Sequence, residues 1–307
     1  MRILCTGGAG YLGAVLVPKL LTAGHDVTVL DTFMYGDTSL AQYCSHPRFD
    51  VHRVDCRDPA AMKPYLKDAD AVLPLACLVG APICYLNPID AEILNQHAQI
   101  ELLNMLSPSQ LVIFPSTESV YGKNPKLCTE ETPAKPLVTY GTQKLEVEKA
   151  LEKRGANSIS FRMATLFGMS PRMRLDLMVN DFTWRAVKDR SLVVFEGSAM
   201  RTMLHVADAA NAFVHCLSMA PEKHEVYNVG SIFVDKVGLC EAIKKQVPEF
   251  CYVESQFSAD PDKRDYTVSD AKIQETGFRP TMTLEAGITE LLKGYRMLSN
   301  SKHSNMP

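Results

Sequence analysis

Several features that mark common functional classes are absent from this 307-residue sequence. Its nine cysteines include no Cys-x-x-Cys pair, and its eight histidines show no ligand spacing against them, so we expect no metal site. The net charge of -3 provides no general positive field, which argues against nucleic acid or an anionic membrane as a partner. No apolar run reaches the roughly 20 residues of a membrane-spanning helix. The sequence begins in a predicted strand, without a signal-peptide pattern, so we expect a cytoplasmic protein.

The first half of the sequence alternates short β-rich runs with amphipathic helical patterns. Several of the β-rich runs are almost entirely apolar, as expected where helices cover both faces of a parallel sheet. The alternation predicts an α/β fold with a Rossmann-type doubly wound parallel sheet. The predicted strands are Arg2–Thr6, Asp26–Leu30, Asp50–Val54, Ala71–Leu75, Gln110–Pro115 and Ser158–Arg162, and the predicted helices are Tyr11–Ala23, Pro59–Leu66, Ile89–Leu106 and Leu137–Lys153.

The second half is less regular and predicts a smaller α/β lobe. We therefore expect a first domain over residues 1–165 and a second lobe over residues 166–307, with a segment near residues 200–220 returning to the first domain. The predicted elements of this half are Leu175–Lys188, Leu192–Phe195, Met203–His205, Ala207–Met219, Glu225–Val229, Lys236–Gln246 and Leu284–Leu298.

A glycine-rich turn follows the first predicted strand and opens the first predicted helix. In the run GGAGYLG over residues 7–13, glycines recur at positions 7, 10 and 13, and the G-x-G-x-x-G spacing is also met from position 8. Such a turn lets the backbone pass close to a pyrophosphate and aims helix-end amides at it. Because a strand precedes the turn and a helix follows it, the run predicts a dinucleotide site.

Acidic residues end the next two predicted strands, at the same edge of the predicted sheet. Asp31 ends the second strand, where a carboxylate accepts hydrogen bonds from a ribose 2′-hydroxyl and repels a 2′-phosphate, which favours NAD over NADP. Its alternative interpretation is a solvated strand-end residue or helix cap. Asp55 and Cys56 end the third strand, where the adenine would lie and Asp55 could accept from its amino group.

Tyr140 and Lys144 stand four residues apart and share one face of a predicted helix. An ammonium group beside a phenol lowers the pKa of the phenol because it stabilises the phenolate, and this prepares Tyr140 as a general base. Thr117 follows the fifth predicted strand, and its hydroxyl could hold the oxygen that Tyr140 deprotonates. The alternative for the pair is an exposed helix face. The order of glycine turn, strand-end Thr and Tyr-x-x-x-Lys favours catalysis.

At these residues the chain resembles an extended short-chain dehydrogenase/reductase of the nucleotide-sugar epimerase/dehydratase type, over nearly its whole length. The matching positions are Gly7–Gly13, Asp31, Leu75-Ala76, Gly80, Asn95, Ser116-Thr117, Val120-Tyr121-Gly122, Tyr140, Lys144, Arg162, Phe167-Gly168, Arg201 and His205-Val206-Ala207-Asp208.

The resemblance implies that the first domain binds NAD and that the second lobe binds a nucleotide-diphosphate sugar, whose carbon 4 is oxidised first. It implies catalytic roles for Thr117, Tyr140 and Lys144, and a homodimer that pairs through the helices near Ile89–Leu106 and Leu137–Lys153. The implied cofactor-binding residues are Gly7, Gly10, Tyr11, Leu12, Gly13, Asp31, Asp55, Cys56, Leu75, Ala76, Asn95, Tyr140 and Lys144. The implied substrate-binding residues are Thr117, Glu118, Arg172, Arg174, Asn180, Arg201 and Arg264.

Departures from the family pattern bear on the reaction. Sugar 4,6-dehydratases of this type usually carry Asp-Glu after the Thr, whereas this chain has Glu118-Ser119, which disfavours 4,6-dehydration. Thr165 stands where many epimerases carry Asn. The run over residues 170–182, with the segment Lys263–Tyr266, is similar to a bacterial subgroup that includes GDP-manno-heptose 4-dehydrogenases. The sequence thus favours a 4-epimerase or 4-dehydrogenase and leaves open a dehydratase, a decarboxylase or a non-catalytic NAD-binding regulator.

Overall fold

A computed structural model describes residues 1–255, 265–298 and 303–305 of the protein. The strands are β1 (Arg2–Thr6), β2 (Asp26–Asp31), β3 (Phe49–Arg53), β4 (Ala71–Pro74), β5 (Leu111–Thr117), β6 (Lys123–Cys128), β7 (Ser158–Met163), β8 (Thr165–Phe167), β9 (Ser191–Phe195), β10 (Met200–His205), β11 (Glu225–Val229), β12 (Ile232–Asp235), β13 (Cys251–Ser255) and β14 (Asp265–Val268). The α-helices are α1 (Gly13–Thr22), α2 (Pro59–Leu66), α3 (Ala81–Leu86), α4 (Pro88–Glu92), α5 (Ala98–Met105), α6 (Thr139–Arg154), α7 (Met178–Lys188), α8 (Val206–Cys216), α9 (Lys236–Gln246), α10 (Ala271–Glu275) and α11 (Leu284–Tyr295).

Seven parallel strands form the main sheet in the order β11-β7-β5-β4-β1-β2-β3. The chain winds outward from β1 in one direction through β2 and β3, and then in the other direction from β4. This confirms the predicted Rossmann-type doubly wound sheet. The strand order reverses between β1 and β4, and open α/β sheets bind ligands beside such a point.

Alternating residues of β1 fill two different cores. Ile3 and Cys5 pack with α1 and α8, while Leu4 packs with residues of α2, α5 and α6 on the opposite face. Because successive side chains of a strand point to opposite faces, a strand covered on both sides is apolar throughout. Burying each leucine-sized side chain contributes about 1.5–3 kcal/mol. Helix α8 and strand β11, from the second half of the sequence, complete this layered structure.

The remaining strands form three small sheets. A three-stranded sheet has the order β12-β10-β8, and β13 pairs with β9, and β14 with β6, in parallel. Phe167, Trp184, Phe250, Ile288 and Tyr295 contribute to one buried core there, which joins α7, α9 and α11. Among the described residues, no helix is both long and apolar enough to cross a membrane.

Candidate active site

A cavity of about 900 Å³ lies beyond the carboxyl ends of the central strands. Both halves of the chain contribute to its wall, as do Ser304 and Asn305 near the C-terminus. The predicted site residues that line it are Gly7, Gly10, Tyr11, Leu12, Gly13, Asp31, Asp55, Cys56, Leu75, Ala76, Tyr140, Lys144, Arg172 and Arg174.

The glycine turn between β1 and α1 forms the floor of the cavity. Gly7 has a φ of +68°, and a Cβ there would lie 2.6 Å from the backbone of Ala76. A Cβ on Gly13 would lie 2.4 Å from the carbonyl oxygen of Gly8, so α1 packs directly on the turn. A Cβ on Gly10 would meet only the Gly7 oxygen, at 3.1 Å, and would otherwise extend into open space. The turn therefore leaves room for a diphosphate against backbone amides.

Asp31 joins the glycine turn to the end of β2. One carboxylate oxygen accepts from the Ala9 amide at 2.9 Å, and the other accepts from the Phe33 amide at 2.8 Å. Each oxygen keeps a further lone pair, because a carboxylate has about four acceptor sites. Asp31 can therefore accept from ribose hydroxyls without losing these two bonds, and these residues fit a dinucleotide.

Two side chains that the sequence analysis did not select lie beside the predicted ones. Arg57 donates to Asp55 through Nε, at 3.0 Å, and through Nη2, at 2.7 Å, and this hydrogen bonding holds the pKa of Asp55 below its usual value. Tyr35 lies in the loop after β2 and also lines the cavity. Arg57 and Tyr35 both follow strands whose carboxyl ends point at the cavity. Their position after these strands was the feature of the sequence from which they could have been predicted. Burial raises the pKa of Cys56 to about 12.

Tyr140 and Lys144 lie in the first turns of α6, and both are buried, at 8% and 2% exposure. The Lys144 Nζ donates to the carbonyl oxygen of Pro115 at 2.8 Å and lies 5.9 Å from the Tyr140 ring centroid. It also lies 4.5 Å from the ring centroid of Phe114. The ammonium group is thus held inside the wall, on the same side of the cavity as the phenol.

A buried ion pair fixes α6 against the sheet behind Lys144. Glu148, one turn further along α6, accepts from Arg162 of β7 at 2.7 Å, and both side chains are nearly inaccessible. Ser116 of the cavity wall donates to the same carboxylate. Arg162 also donates to the Tyr121 hydroxyl at 3.1 Å. Because these groups satisfy one another, the network holds α6 in one register relative to β5.

Thr117 and Glu118 come directly after Ser116, where β5 ends. Both lie outside the lining of this cavity. The Thr117 hydroxyl accepts from the Ser119 amide at 3.1 Å and donates to the Ser119 hydroxyl at 3.0 Å. Glu118 is buried, with its carboxylate directed toward Gly230, where an added Cβ would lie 2.9 Å from its Oε1.

Three other predicted residues occupy positions away from the cavity lining. Asn95 lies in a π-helical turn between α4 and α5, where its amide bonds the backbone of Leu78 at 2.8 and 3.0 Å. Asn180 donates to the Tyr11 hydroxyl at 3.2 Å and accepts from the Gly168 amide at 3.0 Å. Arg201, in β10, is buried and donates to the carbonyl oxygen of Met200. Arg264 lies outside the described residues.

The loop between β8 and α7, residues 168–177, lies against the glycine turn. Tyr11 donates through its hydroxyl to the carbonyl oxygen of Gly168, and Ser170 donates to the carbonyl oxygen of Tyr11, both at 2.7 Å. Arg174 pairs with Asp176 of the same loop at 2.5 Å. The loop therefore brings Arg172 and Arg174 into the wall of the cavity.

Comparisons with known proteins agree with this architecture. Residues 3–230 match the model of the NAD dependent epimerase/dehydratase family. UDP-glucuronic acid decarboxylase 1 of Arabidopsis thaliana is 28% identical to this chain, and the alignment covers 96% of this chain and 70% of the Arabidopsis protein. The enzyme of the same name from Danio rerio is 26% identical, over 95% of this chain and 72% of its own.

Solved structures show the same fold. A UDP-glucuronic acid 4-epimerase from Bacillus cereus, in complex with UDP-glucuronic acid and NAD, aligns with a TM-score of 0.86 at 22% identity, over 97% of this chain and 100% of its own. A UDP-glucose 4-epimerase from Thermus thermophilus, in complex with NAD, aligns with a TM-score of 0.83 at 22% identity, over 96% of this chain and 99% of its own. The resemblance predicted from the sequence is confirmed, and the chain is an enzyme of the NAD-dependent epimerase/dehydratase family.

Proposed function

We propose that this protein uses NAD to oxidise the carbon 4 hydroxyl of a nucleotide-diphosphate sugar, as a 4-epimerase or a 4-dehydrogenase. One observation carries the proposal: the Tyr140 phenol and the Lys144 ammonium are both buried in a cavity wall that also contains the glycine turn. Exclusion of bulk water strengthens the attraction between an ammonium and a developing phenolate. A protein that only senses the dinucleotide would need no proton acceptor there.

In this proposal Tyr140 accepts the proton of the sugar hydroxyl, and Lys144 stabilises the resulting phenolate. The Pro115 carbonyl orients the ammonium, since it accepts one of the three Nζ protons. Thr117, at the end of β5, holds the reacting hydroxyl. NAD, when bound on the glycine turn, supplies the hydride acceptor. Return of the hydride to the other face of the 4-ketone would give an epimer, whereas release of the ketone, with the cofactor left reduced as NADH, would make the enzyme a dehydrogenase.

The substrate class rests on two kinds of support. Structural neighbours contain UDP-glucuronic acid or UDP-glucose, which supports UDP-sugars as the first candidates. The run over residues 170–182 resembles a GDP-heptose subgroup, which supports GDP-sugars as well. We assign Arg201 and Arg264 to the substrate diphosphate because guanidinium forks bind phosphate oxygens in pairs. Glu118 and Asn180 complete the predicted substrate side.

A decarboxylase is the second candidate, and the curated relatives support it. UDP-glucuronic acid decarboxylases align with this chain over nearly its whole length. Oxidation at carbon 4 is a shared first step in this proposal, because a 4-ketone stabilises the carbanion that loss of carbon dioxide from carbon 5 leaves. A 4,6-dehydratase is less well supported, since Glu118-Ser119 supplies one carboxylate where that reaction usually has two.

A substrate panel tests these alternatives together. UDP-glucose, UDP-glucuronic acid, dTDP-glucose and GDP-manno-heptose are each incubated with the enzyme and NAD while absorbance at the NADH wavelength, product stereochemistry and carbon dioxide release are followed. An epimer or a 4-ketone without carbon dioxide supports the main proposal. Carbon dioxide from UDP-glucuronic acid supports the second candidate. A lack of both turnover and enzyme-bound NADH with every sugar contradicts the first proposal.

We also propose a homodimer, as the sequence led us to expect. Apolar side chains are exposed on α3, which contacts α6, and on the adjoining α4, and they include Tyr85 at 86% and Ile89 at 73% exposure. Exposed apolar side chains that cluster in this way commonly mark a protein interface. Leu86, Ile93 and Leu137 extend the same exposed apolar set.

Light scattering at micromolar concentration tests the dimer. The wild-type protein should have twice the chain mass, and Ile89→Glu should shift it toward the monomer because it places a charge at the interface. Val253→Glu is the matched control, because Val253 is 66% exposed but lies on β13 in the other half of the chain. A monomeric wild-type protein contradicts the proposal.

A further inference from the structure

We propose that Arg172, which the β8–α7 loop contributes from the second half of the chain, binds the diphosphate of the dinucleotide cofactor rather than the nucleotide sugar. The inference rests on the proposed function in one respect, namely that the chain binds NAD. It assigns Arg172 and Arg174, predicted as one substrate-binding pair, to different tasks.

Position is the first argument. The Arg172 guanidinium lies over the Tyr35 ring, 4.3 Å from its centroid, and Tyr35 belongs to the loop that follows Asp31. Asp31 ends β2, whereas Tyr140 lies beside the end of β5. With β1 and β4 between β2 and β5, these two ends are roughly 14 Å apart at the usual strand spacing. Arg172 thus lies on the side where a Rossmann sheet holds the adenosine half of its ligand.

The anchoring of the loop is the second argument. Ser170 donates through its hydroxyl to the carbonyl oxygen of Tyr11, and the same hydroxyl accepts from the Arg172 amide at 3.3 Å. Tyr11 belongs to the glycine turn, on which a dinucleotide diphosphate rests. The Arg172 backbone is therefore connected to the diphosphate site through a single serine side chain.

Unmatched charge is the third argument. Arg172 is 8% exposed, and burial together with the neighbouring Arg174 lowers its pKa. Arg174 pairs with Asp176, but within the part of the chain that the structure describes Arg172 forms no ion pair, and its one side-chain hydrogen bond goes to the Met173 carbonyl. A guanidinium carries five donors, and a buried charge without a partner is costly. An anion in the cavity would accept from the unused donors and neutralise the charge. A diphosphate suits this role because its oxygens match a guanidinium fork.

Calorimetric titration of the purified protein tests the assignment, with NAD, ADP-ribose, UDP and GDP as separate ligands. Arg172→Met should weaken NAD and ADP-ribose equally, by about 10- to 100-fold, because both contain the cofactor diphosphate. The affinity of the Arg172→Met variant for UDP and GDP should match that of the wild type. Arg185→Met is the matched control, since Arg185 is an exposed arginine of α7 paired with Asp181. That variant should bind every ligand as the wild type does.

The outcomes separate this inference from the proposed function. Wild-type protein that fails to bind NAD overturns both. Wild-type protein that binds NAD, with an Arg172→Met variant of unchanged NAD affinity, overturns the assignment alone, and a loss confined to UDP or GDP returns Arg172 to the substrate. Thermal unfolding without ligand shows whether the variant is folded. Should it not fold, Arg172→Gln, which keeps donors but removes the charge, is measured under the same criteria.

Discussion

Two arginines are buried to a similar degree but differ in their charge partners: Arg162 lies behind the cavity wall that contains Tyr140 and Lys144, and Arg172 lies in the wall that the β8–α7 loop forms. Arg162, behind Lys144, donates to the Glu148 carboxylate and the Tyr121 hydroxyl, so the structure itself satisfies its charge. Arg172, in the β8–α7 loop, lies over Tyr35 and forms no ion pair among the described residues. The first wall, which contains Tyr140, is therefore held in place by the protein's own contacts. The second wall, formed by the β8–α7 loop, keeps positive charge that a ligand can neutralise.

The largest effect should follow from Tyr140→Phe, which leaves the first wall intact but removes its proton acceptor. We expect turnover to fall by about 10²–10⁴-fold, the usual contribution of a positioned acid or base. Affinity for NAD should change little, because the ring and its packing remain. Steady-state kinetics and calorimetry measure the two quantities. Tyr85→Phe, at an exposed tyrosine of α3, should change neither, and a Tyr140→Phe enzyme of normal rate would refute the catalytic role.

Arg162→Met tests whether the first wall really depends on its internal ion pair. Removing one partner leaves Glu148 buried without its main partner, so we expect the free energy of unfolding to fall by about 3–5 kcal/mol. Lys149→Met is the control on the same helix, because Lys149 is exposed and pairs with Glu146. It should cost less than about 1 kcal/mol. Urea unfolding compares the variants, and equal losses would show that the buried network is not special.

The six strands predicted in the first domain agree with the observed bounds to within two residues, because most of them are apolar runs between polar loops. The predicted helix Ile89–Leu106 is interrupted, by contrast, at the π-helical turn Ile93–His97. Asn95 faces inward there to bond the Leu78 backbone, and helical periodicity carries no signal of such a turn. Helices α3 and α10 and strands β6, β8, β12, β13 and β14 were not predicted, since they are short or half exposed.

The residues of the candidate site also divide into those that the sequence could predict and those that depend on tertiary contacts. Residues next to strand ends, such as Asp31 and Asp55, line the cavity because the carboxyl ends of parallel strands meet at one edge. Asn180 instead bonds Tyr11, which is far away in sequence, and no spacing rule connects the two. The approach of residues 303–305 to the cavity, through the Leu175 amide and the His303 carbonyl, also depends on tertiary contacts. The individual functional roles stay predictions.

Tyr11→Phe removes a hydrogen bond between the glycine turn and the β8–α7 loop. Burial raises the pKa of Tyr11, so the phenol stays protonated and donates to the Gly168 carbonyl. Losing that bond should lower the free energy of unfolding by about 1–2 kcal/mol, since a buried acceptor is left unsatisfied. Amide hydrogen exchange in residues 168–177 should accelerate. Unchanged exchange in that loop would mean that Ser170 alone holds it to the glycine turn.

The smallest effect should come from Glu290→Gln, which alters the base of the β8–α7 loop. Burial alone would raise the pKa of Glu290, but the His205 ring, whose Nε2 lies 3.3 Å from Oε2, and a hydrogen bond from the Met169 amide outweigh it, so the pKa lies below the usual 4.5. A lowered pKa in the folded state gives stability that is complete above pH 4.5 and is lost as the pH falls through the folded value.

Because Glu290 is partly exposed, we expect this contribution to stay below about 1 kcal/mol. Glutamine cannot titrate, so the difference in unfolding free energy between wild type and Glu290→Gln should shrink as the pH falls below 4.5. Urea unfolding at several pH values measures it, with Glu285→Gln at an exposed position of α11 as the control. A difference that stays constant down to pH 3 would mean that the Met169 amide and His205 bind the amide oxygen as well as the carboxylate. The loop would then be held by hydrogen bonds and not by charge, unlike the first wall, where the Arg162–Glu148 ion pair fixes α6.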